Sequence, residues 1–484
     1  MKKYFIPSNF RALCRLLALS PVLALSACSQ QDSQQHFEQS DLDQLAESLQ
    51  VRYQVVDNLS TQYCDKEKSG EEKTDTCFLS EITLSSAVDL PAGPWAIYFS
   101  QVAPAQKVVS GDFSIEHING DLHRFIPKDS FKGFKAEQPQ KIRFVSDIWH
   151  LSRSDLMPNY YVAAPELDAK IIDSTRIIID PETGLEIQPY SGTFDNREKH
   201  LIRSAKDLSQ RATAASIFAA NRKTRFNDQA LNYSIIPTPD SVQTIDGSHL
   251  DLSTGLTLNL NNIDASAVDS AMIALAGQGL NASDSGVPLN IALLENTEAS
   301  VGSYQLRVSE DRIDIRTADN EGAANALRSL ASLLMPDTLS LPQIHIEDSP
   351  RYPFRGLHVD VARNFHSKQL LLNLLEQMAV FKLNKLHLHL GDDEGWRLQI
   401  DGLPELTEVG AKRCHDLKED SCLLPQLGSG PDANSEVNGF YSNKDYIEIL
   451  RYAEARHIQV IPSFDMPGHS RAAVKSMEAR YRKY

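Results

Sequence analysis

One short segment concentrates the side chains that could do chemistry. Residues 387–398, HLHLGDDEGWRL, hold two histidines, three acids, a tryptophan and an arginine. Paired carboxylates serve acid–base catalysis in glycosidases, whereas His and Asp are common ligands of divalent metals. A second segment, VIPSFDMPGHS, carries Asp465 and His469. The residues alone leave three interpretations open: a metal-dependent hydrolase with His ligands, a sugar-binding site, or a hydrogen-bonded network without catalytic function.

The residues around the first segment predict a strand that presents it. In KLHLHL, leucines alternate with His387 and His389, which indicates one apolar face and one histidine face. In a (β/α)8 barrel the leucines would pack on helices and the histidines would point inward. Asp392 and Asp393 then follow the carboxyl end of the strand, where the active sites of such barrels lie.

The last third of the chain repeats this pattern. Strand patterns in FRGLHVDVA, LNKLHLHL and IQVIPSFDM alternate with helical patterns in SKQLLLNLLEQMAVFK and SNKDYIEILRYAEARH. The β-α-β-α-β order predicts that residues 351–484 are the start of a (β/α)8 TIM barrel with about three strands. Asp465 and His469 follow the third strand, so two successive strands end in acids and histidines.

Two further domains and a linker are predicted upstream. Short alternating strands without helices in residues 49–200 favour a β-sandwich. Residues 201–232 are polar, look helical and form a linker. Strands, a hairpin and then a helix in residues 233–350 indicate an α+β domain. Trp95 and Trp149 in the sandwich could stack on sugars, although a lone strand tryptophan is more often part of a core.

The N-terminus resembles a bacterial export signal. Residues 1–28 combine basic residues, the apolar run LLALSPVLAL and the lipobox-like LSAC, which predicts a lipoprotein signal peptide with lipidation at Cys28. The alternative is a plain secretory peptide with a chance cysteine. Residues 29–48 are polar and predict a flexible tether. The expected location is the outer membrane or the periplasm, with the membrane reached through the lipid anchor.

Charge and cysteine content constrain the partners and the compartment. The net charge of -16 over 484 residues disfavours a nucleic-acid partner, because phosphate binding needs a basic face. Export favours disulfides, and Cys64 with Cys77, and Cys414 with Cys422, are near neighbours that could each close a short loop. Free thiols or a zinc site are the alternatives, and the lack of a CxxC motif disfavours zinc.

A family resemblance separates the interpretations further. FRGLHVDVARNFHSKQLLLNLLEQMAVFKLNKLHLHLGDDEGWRLQIDGLPELTEVG resembles the opening of the catalytic barrel of glycoside hydrolase family 20, and VIPSFDMPGHSRAA resembles its third-strand motif. The likeness is strongest to bacterial chitobiases, and it extends upstream through INGDLHRFIP and YQLRVSEDRIDIRTADNEGAANALRSLASLL. It covers roughly residues 49–484.

The resemblance implies a β-N-acetylhexosaminidase that acts on chitin oligosaccharides such as chitobiose, without metal or cofactor. Such enzymes retain the anomeric configuration and use the 2-acetamido oxygen of the substrate as the nucleophile. An Asp orients that group, and an adjacent Glu with a raised pKa protonates the leaving oxygen. In the family this pair lies at the end of the fourth strand in a Gly-Gly-Asp-Glu type motif.

The residues that carry over by resemblance belong to the binding half of the site. Arg355 is matched to the arginine that holds hydroxyls of the nonreducing sugar. Asp392, Asp465 and His469 are the other substrate-binding candidates. Supporting roles are expected for Asp393, Glu394, Trp396, His387 and His389.

No Gly-Gly-Asp-Glu motif occurs in the 484 residues, so we expect a fragment truncated within the barrel that lacks the catalytic pair and is inactive. Ser463 stands where the family usually has Glu, which is expected to weaken the network around Asp465. A carbohydrate-binding lipoprotein that works through its sandwich and a metal-dependent barrel hydrolase remain the alternatives.

Overall fold

The computed structural model describes residues 37–64, 77–225, 234–295, 298–335 and 337–484. Residues from Glu38 to Tyr484 form one compact unit. The predicted signal peptide, Cys28 and residues 29–36 of the predicted tether lie outside the described residues. Among the residues that are described, no helix is long and apolar enough to cross a membrane.

The first part of this unit is rich in antiparallel sheet. Its strands are β1 Gln50–Asp57, β2 Cys77–Ser85, β3 Ala96–Ser100, β4 Ala105–Ser110, β5 Phe113–Asn119, β6 Leu122–Pro127, β7 Gln140–Asp147, β8 Tyr161–Ala163, β9 Lys170–Ile171, β10 Ile178–Ile179 and β11 Glu186–Ile187. One sheet has the order β1-β2-β7-β4, a second has the order β5-β6-β3-β8-β9, and β10 pairs with β11. Three single 3-10 turns lie at Thr61–Tyr63, Arg153–Asp155 and Asp173–Thr175.

Both tryptophans of this region are engaged within the fold. Trp95 is 1% exposed and packs on Phe131 and Phe134 with ring centroids about 6 Å apart. Trp149 is half-buried, and the guanidinium of Arg203 lies 4.9 Å from the centroid of its ring. The core interpretation is therefore confirmed for Trp95.

The prediction of a flexible tether over residues 29–48 is wrong for its second half. Helix α1 spans Gln39–Ser48, and its Leu42 and Leu45 are fully buried. The side-chain amide of Gln39 also donates to the carbonyl of Asp168, 3.1 Å away. The polar composition of this segment hid a few apolar positions at helical spacing, and their burial is what holds the helix on the sheets.

The Sγ atoms of Cys64 and Cys77 are bonded, with the two Cα atoms 5.6 Å apart. Helices α2 Arg197–His200 and α3 Ala214–Asn221 follow the sheets. The predicted linker 201–232 contains α3, which buries none of its residues, and residues 226–232 lie outside the described part.

The middle part is a six-stranded sheet with two helices on it. Its elements are β12 Ser241–Asp251, β13 Leu256–Asn261, α4 Ala265–Gly277, β14 Val287–Leu293, β15 Tyr304–Val308, β16 Ile313–Thr317, α5 Asn320–Leu333 and β17 Ser340–Asp348. The strand order is β12-β17-β15-β16-β14-β13. The apolar residues of α4 and α5 share one core with the sheet. The predicted hairpin (β15 and β16) and the helix after it are confirmed.

The last part has the predicted β-α-β-α-β order. Its elements are β18 Gly356–Asp360, α6 Lys368–Val380, β19 Lys385–Asp392, β20 Gly395–Trp396, α7 Glu405–Glu408, α8 Asn443–Glu454, β21 Gln459–Phe464 and α9 Arg471–Lys483. Strands β18 and β21 pair with β19 on either side, and both pairings are parallel. The Ser367 hydroxyl accepts from the Leu370 amide and begins α6, as its sequence predicts.

The apolar face of β19 explains why this strand lies centrally. Leu386, Leu388 and Leu390 are fully buried and join one core with residues of α6 and α8. Their alternation with His387 and His389 places the two histidines on the opposite face. Since all three strands run in the same direction, the residues that follow β18, β19 and β21 meet at one edge of the sheet.

Candidate functional site

The carboxyl edge of the three parallel strands gathers acids around one arginine. Asp360 ends β18, Asp392 ends β19 and Asp465 follows β21. Arg363 lies in the loop after β18. Its guanidinium is 2.7 Å from Asp360 Oδ2, 2.8 Å from Asp392 Oδ2 and 3.1 Å from Glu394 Oε2. Three carboxylates thus hold a single cation, whose side chain is 34% exposed.

Asp392 is the buried centre of this cluster. It is 2% exposed, yet its carboxylate has three side-chain partners. His389 Nε2 lies 2.8 Å from Oδ2, His469 Nδ1 lies 3.1 Å from Oδ1, and Arg363 completes the set. A buried carboxylate keeps its charge only when it is paired in this way. The hydrogen bond and charge of Asp392 raise the pKa of the His469 imidazole above its usual value.

The prediction that Arg355 binds the sugar does not fit the structure. Arg355 precedes β18, at the amino end of the strand. Its guanidinium donates to the carbonyls of Lys382 and Tyr352 and pairs with Glu321 at 2.8 Å. The Arg355 side chain therefore makes its contacts at the amino end of the sheet, away from the acids at the carboxyl edge. Arg363, eight residues further along, lies among the acids instead.

The two histidines of β19 share Ser463. His387 Nε2 lies 2.8 Å and His389 Nδ1 lies 2.9 Å from its Oγ atom. When Nε2 of His389 donates to Asp392 and Nδ1 carries no proton, Nδ1 accepts from the Ser463 hydroxyl, which in turn accepts from His387. Ser463 therefore links the two histidines to Asp392 without a charge of its own. Burial, then the neighbouring histidines, lower the pKa of His387.

The other acids of the segment have distinct surroundings. Asp393 Oδ1 accepts from the Arg471 amide at 2.9 Å and so anchors the first residue of α9. Glu394 is largely buried, and this burial raises the pKa of its carboxyl even though Arg363 opposes the change. Asp465 is exposed, and its amide donates to the carbonyl of Gly391.

Trp396 is held by packing. Its ring stacks on Phe464 with centroids 4.6 Å apart, and its Nε1 donates to the carbonyl of Leu398 at 2.7 Å. One face and the polar edge of the indole are thus committed to the protein. A supporting role for Trp396 stays a prediction.

Residues 397–441 form a long connection after β20 that covers the carboxyl edge of the sheet. Two buried arginines hold this connection in place. Arg397 donates to the carbonyls of Val361, Ala362, Ala411 and Gly439, which ties the loop after β18 to this connection. Burial lowers the pKa of Arg397 to about 9. The Sγ atoms of Cys414 and Cys422 are bonded within the connection, with the Cα atoms 5.8 Å apart.

The second arginine, Arg413, lies directly behind the acid cluster. It is fully buried and donates to the side chain of Asn364 at 2.9 Å and to the carbonyl of Gln426 at 3.0 Å. Sequence reasoning missed Arg363, Arg397 and Arg413. Arg363 could have been found, because it follows the carboxyl end of a strand as Asp392 does. Arg397 and Arg413 carried no such signal.

Ligand atoms for a cation are also close together at this edge. Those of His389, Asp392 and Asp465 lie within 4.8 Å of one another, and so do those of Asp392, Asp393 and His469. However, both groups need Asp392, whose Oδ2 is already 2.8 Å from the permanently charged Arg363. A second cation would be repelled there. The arrangement suits neutral hydroxyl groups better, because arginine and carboxylates offer donors and acceptors side by side.

Two upstream regions precede the parallel sheet and its acid and arginine cluster, so the chain is a multidomain protein. Residues 352–484 match the catalytic domain of glycosyl hydrolase family 20, and residues 232–349 match domain 2 of that family. Residues 48–215 match a "putative carbohydrate binding domain". The two family 20 models together cover more than half of the chain. The chain belongs to glycoside hydrolase family 20.

Bacterial relatives agree with this assignment. The chain is 42% identical over 451 residues to beta-hexosaminidase B of Pseudoalteromonas piscicida, which covers 92% of this chain and 57% of the relative. It is 39% identical over 478 residues to the N,N'-diacetylchitobiase of Vibrio harveyi, which covers 96% and 52%. The chain therefore spans about half the length of the curated relatives it matches.

A solved structure shares the fold. The family 20 exo beta-N-acetylglucosaminidase of Vibrio harveyi, in complex with N-acetylglucosamine, superposes with a TM-score of 0.64 at 24% identity. The superposition covers 89% of this chain and 59% of that chain. The likeness extends through all three parts and supports the multidomain architecture.

Proposed function

We propose that the acid and arginine cluster binds the terminal nonreducing N-acetylhexosamine of a chitin oligosaccharide, as part of a retaining β-N-acetylhexosaminidase. The observation that carries the proposal is the Arg363–Asp392 pair at the carboxyl edge of the sheet in a family 20 chain. Substrate-assisted hydrolysis then uses the 2-acetamido oxygen of the sugar as the nucleophile.

The geometry suggests how these residues would hold a sugar. Arg363 has five N–H groups, and its three carboxylate partners leave donors free on an exposed side of the guanidinium. Asp360 and Glu394 keep the guanidinium in one orientation. Asp465 is exposed close to Asp392 and can accept hydrogen bonds from hydroxyl groups.

We further propose that the three parallel strands are the opening of a TIM barrel, and that the two sheets of residues 49–200 form a β-sandwich. In this proposal the chain supplies the binding half of the site. Its adjacent acids are committed elsewhere, since Asp393 anchors α9 and Glu394 is paired with Arg363. Proton transfer therefore needs an Asp–Glu pair of the Gly-Gly-Asp-Glu type, which the 484 residues do not contain.

A hybrid enzyme tests this division of roles. The 484-residue chain is joined, at the end of the matched region, to the remaining part of the Pseudoalteromonas piscicida relative, and hydrolysis of a chromogenic N-acetylglucosaminide is measured. We expect the hybrid to turn the substrate over and the chain alone, at confirmed mass, to show none. Asp392→Asn in the hybrid should abolish turnover, whereas Asp401→Asn, at an exposed acid bonded to Asn443, should not.

Either of two results would contradict the proposal. A folded but inactive hybrid would show that the chain does not supply a working sugar site. Measurable hydrolysis by the 484-residue chain would show that proton transfer is performed by residues within it, and Glu394 would then be the first to replace.

Binding of chitin by the N-terminal region is the second candidate function. The engagement of Trp95 and Trp149 weighs against stacking of sugars on either ring. Retention of the whole chain on chitin, compared with Asp392→Asn, separates the two sites. Retention that the substitution leaves unchanged would favour the N-terminal region.

We also propose that the protein is exported and lipidated at Cys28, on the strength of the LSAC motif. Metabolic labelling with a radioactive fatty acid in a bacterial host should mark the wild-type protein and not Cys28→Ser. Labelling that persists in Cys28→Ser would contradict the proposal.

A further inference from the structure

We propose that the N-terminal region is a positioning part of the sugar site, in which Asp121 acts through Arg413 on the orientation of Arg363. This inference rests on the proposed function for its ligand, and it assigns the N-terminal region a role other than binding carbohydrate itself. Three sets of contacts carry it, from the sheet of the N-terminal region to the acid cluster.

The first set places the connection of residues 397–441 on the second N-terminal sheet. Leu424 is buried in one apolar cluster with Tyr98, Leu122 and Tyr161 of that sheet. The Tyr161 hydroxyl lies 3.1 Å from His415 Nδ1. The connection is therefore packed against the N-terminal region by both apolar and polar contacts.

A close backbone approach continues this contact. The Asn159 side chain donates to the carbonyl of Gly428 at 2.7 Å. Gly428 has a φ of +67°, and a Cβ atom there would lie 2.5 Å from Pro158. Only glycine permits both the backbone conformation and the distance. The position of residues 424–430 is thus set by the N-terminal region.

The second set centres on Asp121, in the turn between β5 and β6. Asp121 is 7% exposed, and its Oδ2 accepts from the Leu427 amide at 2.7 Å. Within the described part of the chain, Asp121 Oδ1 and Arg413 Nε are both buried without a hydrogen-bond partner. Their opposite charges attract, and each lowers the free-energy cost of burying the other. Burial raises the pKa of Asp121 to about 6, against the effect of Arg413.

The third set connects Arg413 to the sugar site. Arg413 donates to the side chain of Asn364, the residue after Arg363. The charge of Glu394 acts on both Asp121 and Arg413, and the Glu394 carboxylate pairs with Arg363 Nε at 3.1 Å. Charges therefore alternate in sign from the N-terminal sheet to the buried acid of the site, in the order Asp121, Arg413, Glu394, Arg363 and Asp392.

This alternation of charges predicts how the partners of Glu394 change when Asp121 is replaced. With Asp121 in place, Arg413 is balanced from the N-terminal side, and Glu394 can stay with Arg363. The charge of Glu394 already acts on Arg413, and without Asp121 it is left to offset the charge of Arg413 alone, so its hydrogen bond to Arg363 should weaken. Coupling through packed networks of this kind commonly changes affinity by about tenfold.

The test compares Asp121→Asn with Glu116→Gln in the 484-residue chain. Glu116 lies on the adjacent strand and pairs with Arg124 at the surface, so the control removes one acid from the same hairpin without touching Arg413. The first measurement is the Nε–H resonance of Arg363 in arginine-labelled protein, assigned with Arg363→Lys. The second is the affinity for N-acetylglucosamine.

We expect Asp121→Asn to shift the Arg363 Nε–H resonance and to weaken N-acetylglucosamine binding about tenfold, with both unchanged in Glu116→Gln. Asp121→Glu should restore the resonance in part, because it returns the charge. A folded Asp121→Asn chain with the wild-type Arg363 resonance would overturn the inference.

Failure of the positioning role can be distinguished from failure of the proposed function, and a second variant is available if the first does not fold. Failure of the wild-type chain to bind N-acetylglucosamine would count against the proposed function, while the Arg363 resonance would still decide the positioning role. Should Asp121→Asn not fold, Asn159→Gly removes the hydrogen bond to Gly428 at a position whose positive φ glycine accepts. It is expected to shift the same resonance by a smaller amount, and an unchanged resonance would then reject the inference.

Discussion

Two arginines flank the strand β18 and meet opposite surroundings. Arg355, before the strand, pairs with Glu321 of the middle region and donates to two backbone carbonyls. Arg363, after the strand, is shared by three carboxylates and remains partly exposed. The amino end of the sheet uses its charges to join two parts of the chain, and the carboxyl end gathers charges around a surface that a ligand can reach.

The other ion pairs at the amino end support this contrast. Lys382 Nζ lies 2.7 Å from Asp348 and 3.0 Å from the Tyr304 hydroxyl, all of them buried or nearly so. Burial lowers the pKa of Lys382, and Asp348 opposes that effect. Arg355 and Lys382 are each paired with an acid from the neighbouring part of the chain. The active sites of (β/α)8 barrels likewise lie at the carboxyl ends of the strands.

The largest effect is expected at the buried centre of the carboxyl edge. Asp392→Ala removes the buried carboxylate that Arg363 and two histidines share. The free energy of unfolding should fall by about 3 to 5 kcal/mol, the usual cost of removing one partner from a buried ion pair. Urea denaturation measures it, with the exposed Asp465→Ala as the matched control. A loss below about 1 kcal/mol would mean that the pairing contributes little.

The two arginines should respond in opposite ways. In the hybrid enzyme, Arg363→Ala should lower kcat/KM by about 100-fold, because charged hydrogen bonds contribute about 1.5 to 3 kcal/mol each. Arg355→Ala should leave kcat/KM within about threefold and lower the free energy of unfolding by about 2 kcal/mol. Equal losses of kcat/KM in both variants would remove the distinction between the two ends of the sheet.

A smaller effect on stability alone is expected from Lys382→Met at the amino end. The substitution keeps most of the packing and leaves Asp348 with the Tyr304 hydroxyl as its remaining partner. The free energy of unfolding should fall by about 1 to 3 kcal/mol with kcat/KM of the hybrid unchanged. Thermal unfolding checks the expected loss of stability, and the chromogenic assay checks that kcat/KM is unchanged. A selective loss of turnover would show that the amino end also serves the site.

The smallest effect is a pH dependence of His469. Asp392 raises the pKa of its imidazole in the folded protein, so this ion pair contributes fully below the unfolded-state pKa and is lost as the pH rises through the folded-state pKa. The proton resonances of His469 should titrate at a higher pH than those of an unperturbed histidine. In Asp392→Asn the midpoint should return toward the ordinary value. An unchanged midpoint would show that Asp392 is not the cause.

Much of the last part could be predicted from local pattern. Strict alternation in KLHLHL fixed which face of β19 is apolar, and Ser367 marked the start of α6. The prediction of a flexible tether failed at α1, because the polar composition of this segment concealed the few buried leucines that anchor the helix. The role that the resemblance gave to Arg355 also does not fit its position, because its side chain pairs with Glu321 at the amino end of β18. Only the end of the strand at which each arginine lies distinguishes Arg355 from Arg363.

The residue pattern alone determined the class of fold, the family and the edge of the sheet at which polar side chains would collect. The class of fold and the edge follow from periodicities of two and of 3.6 residues, which are local, whereas the family follows from the resemblance of longer motifs. The tertiary structure decided which charges meet. Asp121 and Arg413 are nearly 300 residues apart and carry no shared local signal. Their proximity depends on how a turn of the N-terminal sheet packs against a long connection of the last part, and only the folded chain brings those two segments together.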